Sequence, residues 1–498
     1  MSLKQNTQLA SSQKHSFLGD ALKLASGTMV AQLLTVAAAP VLARLYSPEA
    51  FGALALYFSV VNIVSETAAL RYDLSIVLPE TEEEASNQLA VSLALIVLTN
   101  LLFGLLLWKF GARFLALLNT PGLAPFAGAI LFGAAATAVM FVFNYWNSRL
   151  HRFGWLTAGA VINTLTMIAV QLVIGFSGDS SARGLVFGSA LGPAAVAIYL
   201  AVRTLRTDGR LIARSINWEQ MKQGMRRYQK FPRFDLWGAL LSLVAWQIPL
   251  FLLAYFFSST IVGFYSMGMR LLQVPIRVIG QAVGQSIYPW LSEARGNGSI
   301  TDVTASAFRR LVLLTLFPLL ALAVVGQDVF SAIFGQSWQE AGRFVQILSI
   351  WVFFWFVSVP LGSVLNVLEK QELNLQINAL NLVTRLLSLV IGGLFKDVYL
   401  ALGLFSATGI LVYGYFSLTI LFSAGVSLAQ IGRIFSRAVV SAVPYLVVLI
   451  ALKMMDLTPW AMTVAAAAAI ALHLINFLRH DRDFIGLLSR ASFLNKSS

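Results

Sequence analysis

The chain has 498 residues, of which 58% are hydrophobic and 11% charged, with a net charge of +13 and a mean hydropathy of +0.77. A soluble domain carries roughly 25% charged residues, so too few are present to solvate a globular surface, and the chain reads as an integral membrane protein. Cysteine is absent, which excludes disulfides and thiolate sites, and His15, His151, His473 and His480 lack ligand spacing, so no metal or cofactor is expected.

Apolar blocks recur from residue 20 to residue 478, each long enough to cross a bilayer. They predict spans near 20–44, 51–71, 86–108, 122–146, 154–177 and 184–202. After a hydrophilic break come 234–257, 261–288, 308–326, 344–367, 374–394, 399–422, 437–453 and 459–478. The expected fold class is therefore an all-α polytopic membrane protein of about 14 transmembrane helices. The first block is too long and too weakly flanked for a cleavable signal peptide and is expected to remain as a span.

The expected organisation is a six-helix bundle at 1–205, a basic cytoplasmic connector at 206–233, a second six-helix bundle at 234–424, and two additional helices with a cytoplasmic tail at 425–498. With both termini cytoplasmic, 25 Lys and Arg residues lie on that side and seven on the other, while Arg270, Arg277 and Arg385 fall within spans. The bias follows the positive-inside rule and accounts for most of the net charge. The break at 203–233 carries nine basic residues against Asp208 and Glu219, a composition suited to anionic headgroups. No soluble domain is expected to bind nucleic acid.

A constant shift of 211 residues aligns Gly27 with Gly238, Ser47 with Ser258, Gly52 with Gly263 and Glu82 with Glu293. A shift of 218 then aligns Leu150 with Leu368 and Asn163 with Asn381, so the two six-span blocks read as a duplication. Six is even, which gives parallel repeats related by an axis along the membrane normal, and transporters of this kind bind substrate between their halves.

The eighth predicted span carries Arg270, Gln273, Arg277 and Gln281 at spacings of three, four and four, which places all of them on one helical face. A charge at a helix centre in lipid costs at least about 2.5 kcal/mol, so such groups usually face a polar interior. The planar fork of Arg270 suits phosphate or an acidic sugar, although neutralisation by Glu66 or by carbonyls near Pro275 would also explain it. Arg277 lies nearer the cytoplasmic end and can instead snorkel. The 211-residue shift maps Arg270, Gln273 and Arg277 onto Ser59, Asn62 and Glu66, a matching polar face with an acid in place of a base. Glu66 is a candidate counter-ion or proton carrier. Arg71 and Asp73 form either a salt bridge or a substrate-access pair. Asn378, Asn381 and Arg385 make a second polar face, explained by hydrogen bonding between packed helices.

Residues 43–85, ARLYSPEAFGALALYFSVVNIVSETAALRYDLSIVLPETEEEA, carry the LYSPEAFG stretch, the Arg71-Tyr72-Asp73 turn and then Asn87-Gln88-Leu89 at the start of the third span. This region resembles the bacterial polysaccharide flippases, the Wzx-like branch of the multidrug/oligosaccharidyl-lipid/polysaccharide exporter superfamily. The resemblance implies a V-shaped pair of six-helix bundles that moves undecaprenyl-pyrophosphate-linked oligosaccharide across the bacterial inner membrane by alternating access. It also implies membrane lipids, a polysaccharide polymerase and a chain-length regulator as partners, and coupling to a proton or sodium gradient, for which Glu66 or Asp73 are the candidates. Two C-terminal spans also occur in the related lipid II flippases, where they help form a groove for the lipid tail. Substrate binding would then fall to Arg270, Gln273, Arg277, Gln281 and Asn62. The chain has no GxxxxGK[ST] loop and no nucleophile motif, so no enzyme activity is expected. The alternatives are a cation-coupled exporter of small amphipathic drugs or metabolites on the same fold and a non-transporting scaffold for polysaccharide assembly.

Overall fold

The computed structural model describes residues 27–117, 121–275 and 300–480. Helices α1 (Gly27–Leu45) and α2 (Pro48–Thr67) lead into a short 3-10 turn, Tyr72–Val77. Then come α3 (Glu82–Leu117), α4 (Ala127–Arg149), α5 (Phe153–Phe176), α6 (Ala182–Ser215), α7 (Trp218–Arg227), α8 (Leu236–Phe256) and α9 (Ser259–Pro275). The remaining helices are α10 (Ile300–Phe334), α11 (Gln339–Val367), α12 (Gln371–Leu394), α13 (Val398–Ser423), α14 (Leu428–Met454) and α15 (Pro459–His480). Among the described residues 13 helices are long and apolar enough to cross a membrane. They correspond to all the expected spans but that at 261–288, of which α9 covers the portion up to Pro275.

Helix starts follow local chemistry. The Ser47 hydroxyl accepts from the Ala50 N–H with Pro48 at the first helical position of α2, and Asn217 and Asp397 side chains cap α7 and α13 in the same way. Ser427 and Gln430 form a reciprocal capping box at α14. Several helices outrun their apolar blocks. The third, expected at 86–108, spans Glu82–Leu117, and the ninth, expected at 308–326, spans Ile300–Phe334. Helical hydrogen bonding continues past the hydrocarbon boundary, whereas hydropathy reports only the boundary.

Contacts divide the chain into two units, one ending at Gly263 and the other beginning at Phe264. In the first, α4 packs on α6 and α2, and α5 on α6, around buried Ile76, Leu89, Ile96, Val142 and Trp146. The division by packing falls later than the expected connector at 206–233 because α8 lies on α2, where the buried Ser59 hydroxyl donates to Gln247 Oε1 at 2.9 Å. The expected connector is itself largely helical. α6 continues to Ser215, Ile216 turns to extended backbone, and Asn217 starts α7.

In the second unit, α10 packs on α11, and α13 on α11 and α12. The last two helices lie against α10 through Phe317, Ala321, Val325, Ala442, Leu449, Met462 and Ala466. Large apolar side chains such as Leu101, Trp108, Val173, Leu411 and Val440 point outward, as lipid-facing surfaces require.

The first helical turns of α2 and α9 cross closely. A Cβ on Gly52 would come within 1.8 Å of the Ser259 carbonyl oxygen, and one on Gly263 within 1.9 Å of the Pro48 carbonyl oxygen. Pro48 and Ser259 stand 211 residues apart, as do Gly52 and Gly263, so positions that the expected duplication would relate meet reciprocally.

Candidate functional site

The polar face of α2 ends in a charged cluster. After Thr67 the chain turns through Leu70 and Arg71, both with left-handed backbone (φ 48° and 65°), a conformation that costs a non-glycine residue about 1–3 kcal/mol. The turn aims Arg71 between two acids from different elements. Its Nη1 donates to Glu66 Oε2 at 2.9 Å and its Nε to Asp235 Oδ2 at 2.8 Å. Asp73 sits in the 3-10 turn, 5% exposed, and its Oδ1 has no hydrogen-bond partner. Burial pushes its carboxyl up to about 6, against the pull of the Arg71 guanidinium.

Polar contacts then brace the same end of the unit. Arg149 donates to the carbonyls of Pro79 at 2.6 Å and Thr81 at 3.2 Å, which fixes the loop before α3. Arg152 holds Asp208 with two bonds of 2.6 and 2.7 Å, and the buried Trp146 indole donates to the same carboxylate at 2.9 Å. Asn87 joins α3 to the start of α7, donating to the Ser215 carbonyl and to Gln220 Oε1 and accepting from the Asn217 N–H.

In the second unit, Arg270 is an exposed residue of α9, on which Tyr265, Met267, Met269 and Leu272 are buried and Gln273 is half-buried. Arg385 is buried at 6% exposure, with its guanidinium 5.4 Å from the Trp351 and Phe405 ring centres and Nη2 at 3.4 Å from the Tyr413 hydroxyl. Asn381 donates to that hydroxyl at 2.8 Å, so this face of α12 does bond to a neighbouring helix, while Asn378 is exposed. Two adjoining apolar cavities of about 180 and 320 Å³ lie along α14 and share Phe353, Phe354 and Phe435. A hydrocarbon chain fits their lining.

Of the residues singled out from sequence, the structure gathers Glu66 and Asp73 around Arg71, with Asn62 one turn earlier on the same helix. Arg270 and Gln273 belong to the second unit, and Arg277 and Gln281 lie outside the described residues. Sequence reading missed Asp235 as a partner for Arg71 and Asp208 as the clamp for Arg152. Separations of 164 and 56 residues leave no periodic signal, and an acid next to a span was the sole clue.

A family model described as polysaccharide biosynthesis protein matches residues 41–343. The teichuronic acid biosynthesis protein TuaB of Bacillus subtilis (strain 168) is 25% identical over 144 residues, which is 29% of this chain and 30% of TuaB. The chain thus matches less than a third of that relative's length. The solved structure of the lipid II flippase MurJ in an inward closed conformation is similar at a TM-score of 0.68, covering 93% of this chain and 99% of MurJ at 13% identity. An inward-facing multidrug resistance MATE family transporter of the MOP superfamily gives 0.53, covering 82% and 99% at 15% identity. At such identities the likeness is one of fold, an all-helical multi-pass membrane protein. With a family model matching more than half of its length, the chain belongs to the polysaccharide biosynthesis protein family.

Proposed function

We propose that the protein is a flippase that carries an undecaprenyl-pyrophosphate-linked oligosaccharide across the bacterial inner membrane by alternating access, for surface polysaccharide synthesis. Both termini are cytoplasmic in this reading, and the translocated glycan passes to a polymerase with its chain-length regulator. Family membership carries the proposal. Two physical features support it. Arginines are retained at membrane depth, where an anionic headgroup offsets their cost, and the two apolar cavities between α10, α11 and α14 suit a prenyl tail.

In this reading Arg270, Gln273, Arg277, Gln281 and Asn62 bind the pyrophosphate and its sugars. Glu66 balances charge through Arg71, and Asp73, a carboxyl that burial pushes up to about 6, takes the proton of a coupling gradient. A drug exporter that favours cationic substrates would need more buried acid than base, and a scaffold gains nothing from intramembrane charge.

Deletion of the gene should cause lipid-linked glycan to accumulate in the cytoplasmic leaflet without altering drug sensitivity. Complementation with Arg270→Ala should lower export at least tenfold, and Arg270→Lys should restore it in part, since charge is kept but the bidentate fork is lost. Full rescue by the alanine variant would sink the binding role.

A further inference from the structure

The face of α7 turned toward α3 encloses a polar cavity that the translocation reading leaves unused. α7 is pinned at its start by Asn87 and near its end by the Tyr72 hydroxyl, which donates to the Met225 carbonyl at 2.9 Å. Between these pegs lies a cavity of about 280 Å³, lined by Glu84, Gln88, Gln220, Gln223, Gly224, Arg227 and Tyr228. Its volume lies just below the range of drug-sized pockets, roughly 300–1,000 Å³, and suits one small ring.

The lining specifies the chemistry of a ligand. Glu84 and Arg227 pair at 3.2 Å, so the charges at the rim cancel and an anion gains little. The Oε1 atoms of Gln88 and Gln220 already accept from Ser75 and Asn87, so these amides present chiefly donors, and Gln223 adds a donor and an acceptor. Gln88 is 2% exposed and accepts from the Ser75 hydroxyl through Oε1, which directs Nε2 at Gly224. A Cβ on Gly224 would lie 1.8 Å from that nitrogen, so glycine is what lets the Gln88 amide pack directly against α7 and form the cavity wall. The Tyr228 hydroxyl is buried without a hydrogen-bond partner, a group that structures rarely leave unmet. Amides of both polarities, an unmet phenol and an aromatic ring recognise a neutral polyhydroxyl ring. The apolar cavities along α14 have none of these groups.

We propose that the α3–α7 cavity is a monosaccharide subsite, which holds one neutral pyranose of the glycan on the cytoplasmic side before translocation. The source of that sugar rests on the flippase reading; the site itself rests on the cavity.

The test uses the full-length protein in nanodiscs, probed by saturation-transfer NMR with methyl glucoside, methyl galactoside, methyl N-acetylglucosaminide, methyl glucuronide and glycerol. At least one neutral glycoside should show transfer, stronger than glycerol or the glucuronide, and Tyr228→Phe or Gln223→Ala should weaken its affinity about two- to tenfold, the worth of one hydrogen bond. Tyr228→Phe breaks no internal hydrogen bond, so its melting temperature should match the parent, and lost binding then cannot be lost folding. No transfer from any neutral glycoside, equal transfer from glycerol, preference for the glucuronide, or binding indifferent to Tyr228→Phe would each overturn the subsite. Export measured in the deletion strain separates the two readings. Failed glycoside binding with intact glycan export overturns the subsite alone, while binding without any export phenotype overturns the sugar's source.

Discussion

At the turn after α2, three carboxylates share one guanidinium. Arg71 is committed to Glu66 and Asp235, which leaves Asp73 buried nearby with an unmet oxygen. Because the folded carboxyl titrates at about 6 and the unfolded one near 3.8, the native state binds the proton more tightly. Its stabilising effect is complete below the unfolded value and is lost as pH rises through about 6. Asp73→Asn cannot ionise, so its melting temperature relative to the parent should climb between pH 4 and pH 7, by an amount equivalent to roughly 3 kcal/mol at most. A difference that stays flat with pH would refute the assignment. Glu66 and Asp73 were visible in the sequence as acids on a polar face and in a marked motif. Asp235 was not, since only folding carries the start of α8 to Arg71.

At the scale of elements, the crossing of α2 and α9 depends on two glycines. The atoms facing Gly52 and Gly263 are backbone carbonyls, which cannot rotate aside, so Gly52→Ala or Gly263→Ala must push the helices apart. Each should lower stability by about 1–3 kcal/mol, read as a fall in melting temperature in detergent. Gly238→Ala is the control. It lies in α8 with nothing within 4 Å of the added methyl, and should be neutral or stabilise by up to about 1 kcal/mol through helix propensity. The equivalence of Gly52 and Gly263 was legible as a 211-residue shift, but their meeting was not. Likewise the basic stretch after residue 202 read as a connector. Its extension of α6 and the separate helix α7 were hidden, because charge reports contact with water and does not report backbone conformation.

For the whole molecule, orientation rests on the distribution of 35 basic residues, and the absence of native cysteine makes it simple to test. Single replacements Lys222→Cys on α7 and Lys396→Cys between α12 and α13 both fall at exposed positions. An impermeant maleimide added to intact cells should label Lys396→Cys alone, and should label Lys222→Cys after the membrane is opened. The opposite pattern would invert the topology and move the α3–α7 cavity to the outer side. Labelling of Lys396→Cys alone in intact cells would put the cluster around Arg71 on the cytoplasmic side, together with α7.

The sequence by itself determined the membrane class, 13 apolar helices among the described residues, and the family, because each is recorded in one-dimensional patterns of hydropathy, charge and spacing. Tertiary structure decided which polar groups meet. Arg71 with Asp235, Arg152 with Asp208, and the cavity between α3 and α7 join residues from distant parts of the chain. Such pairings carry no periodicity; packing fixes them, through helices whose apolar faces must be covered before their polar ends can find partners.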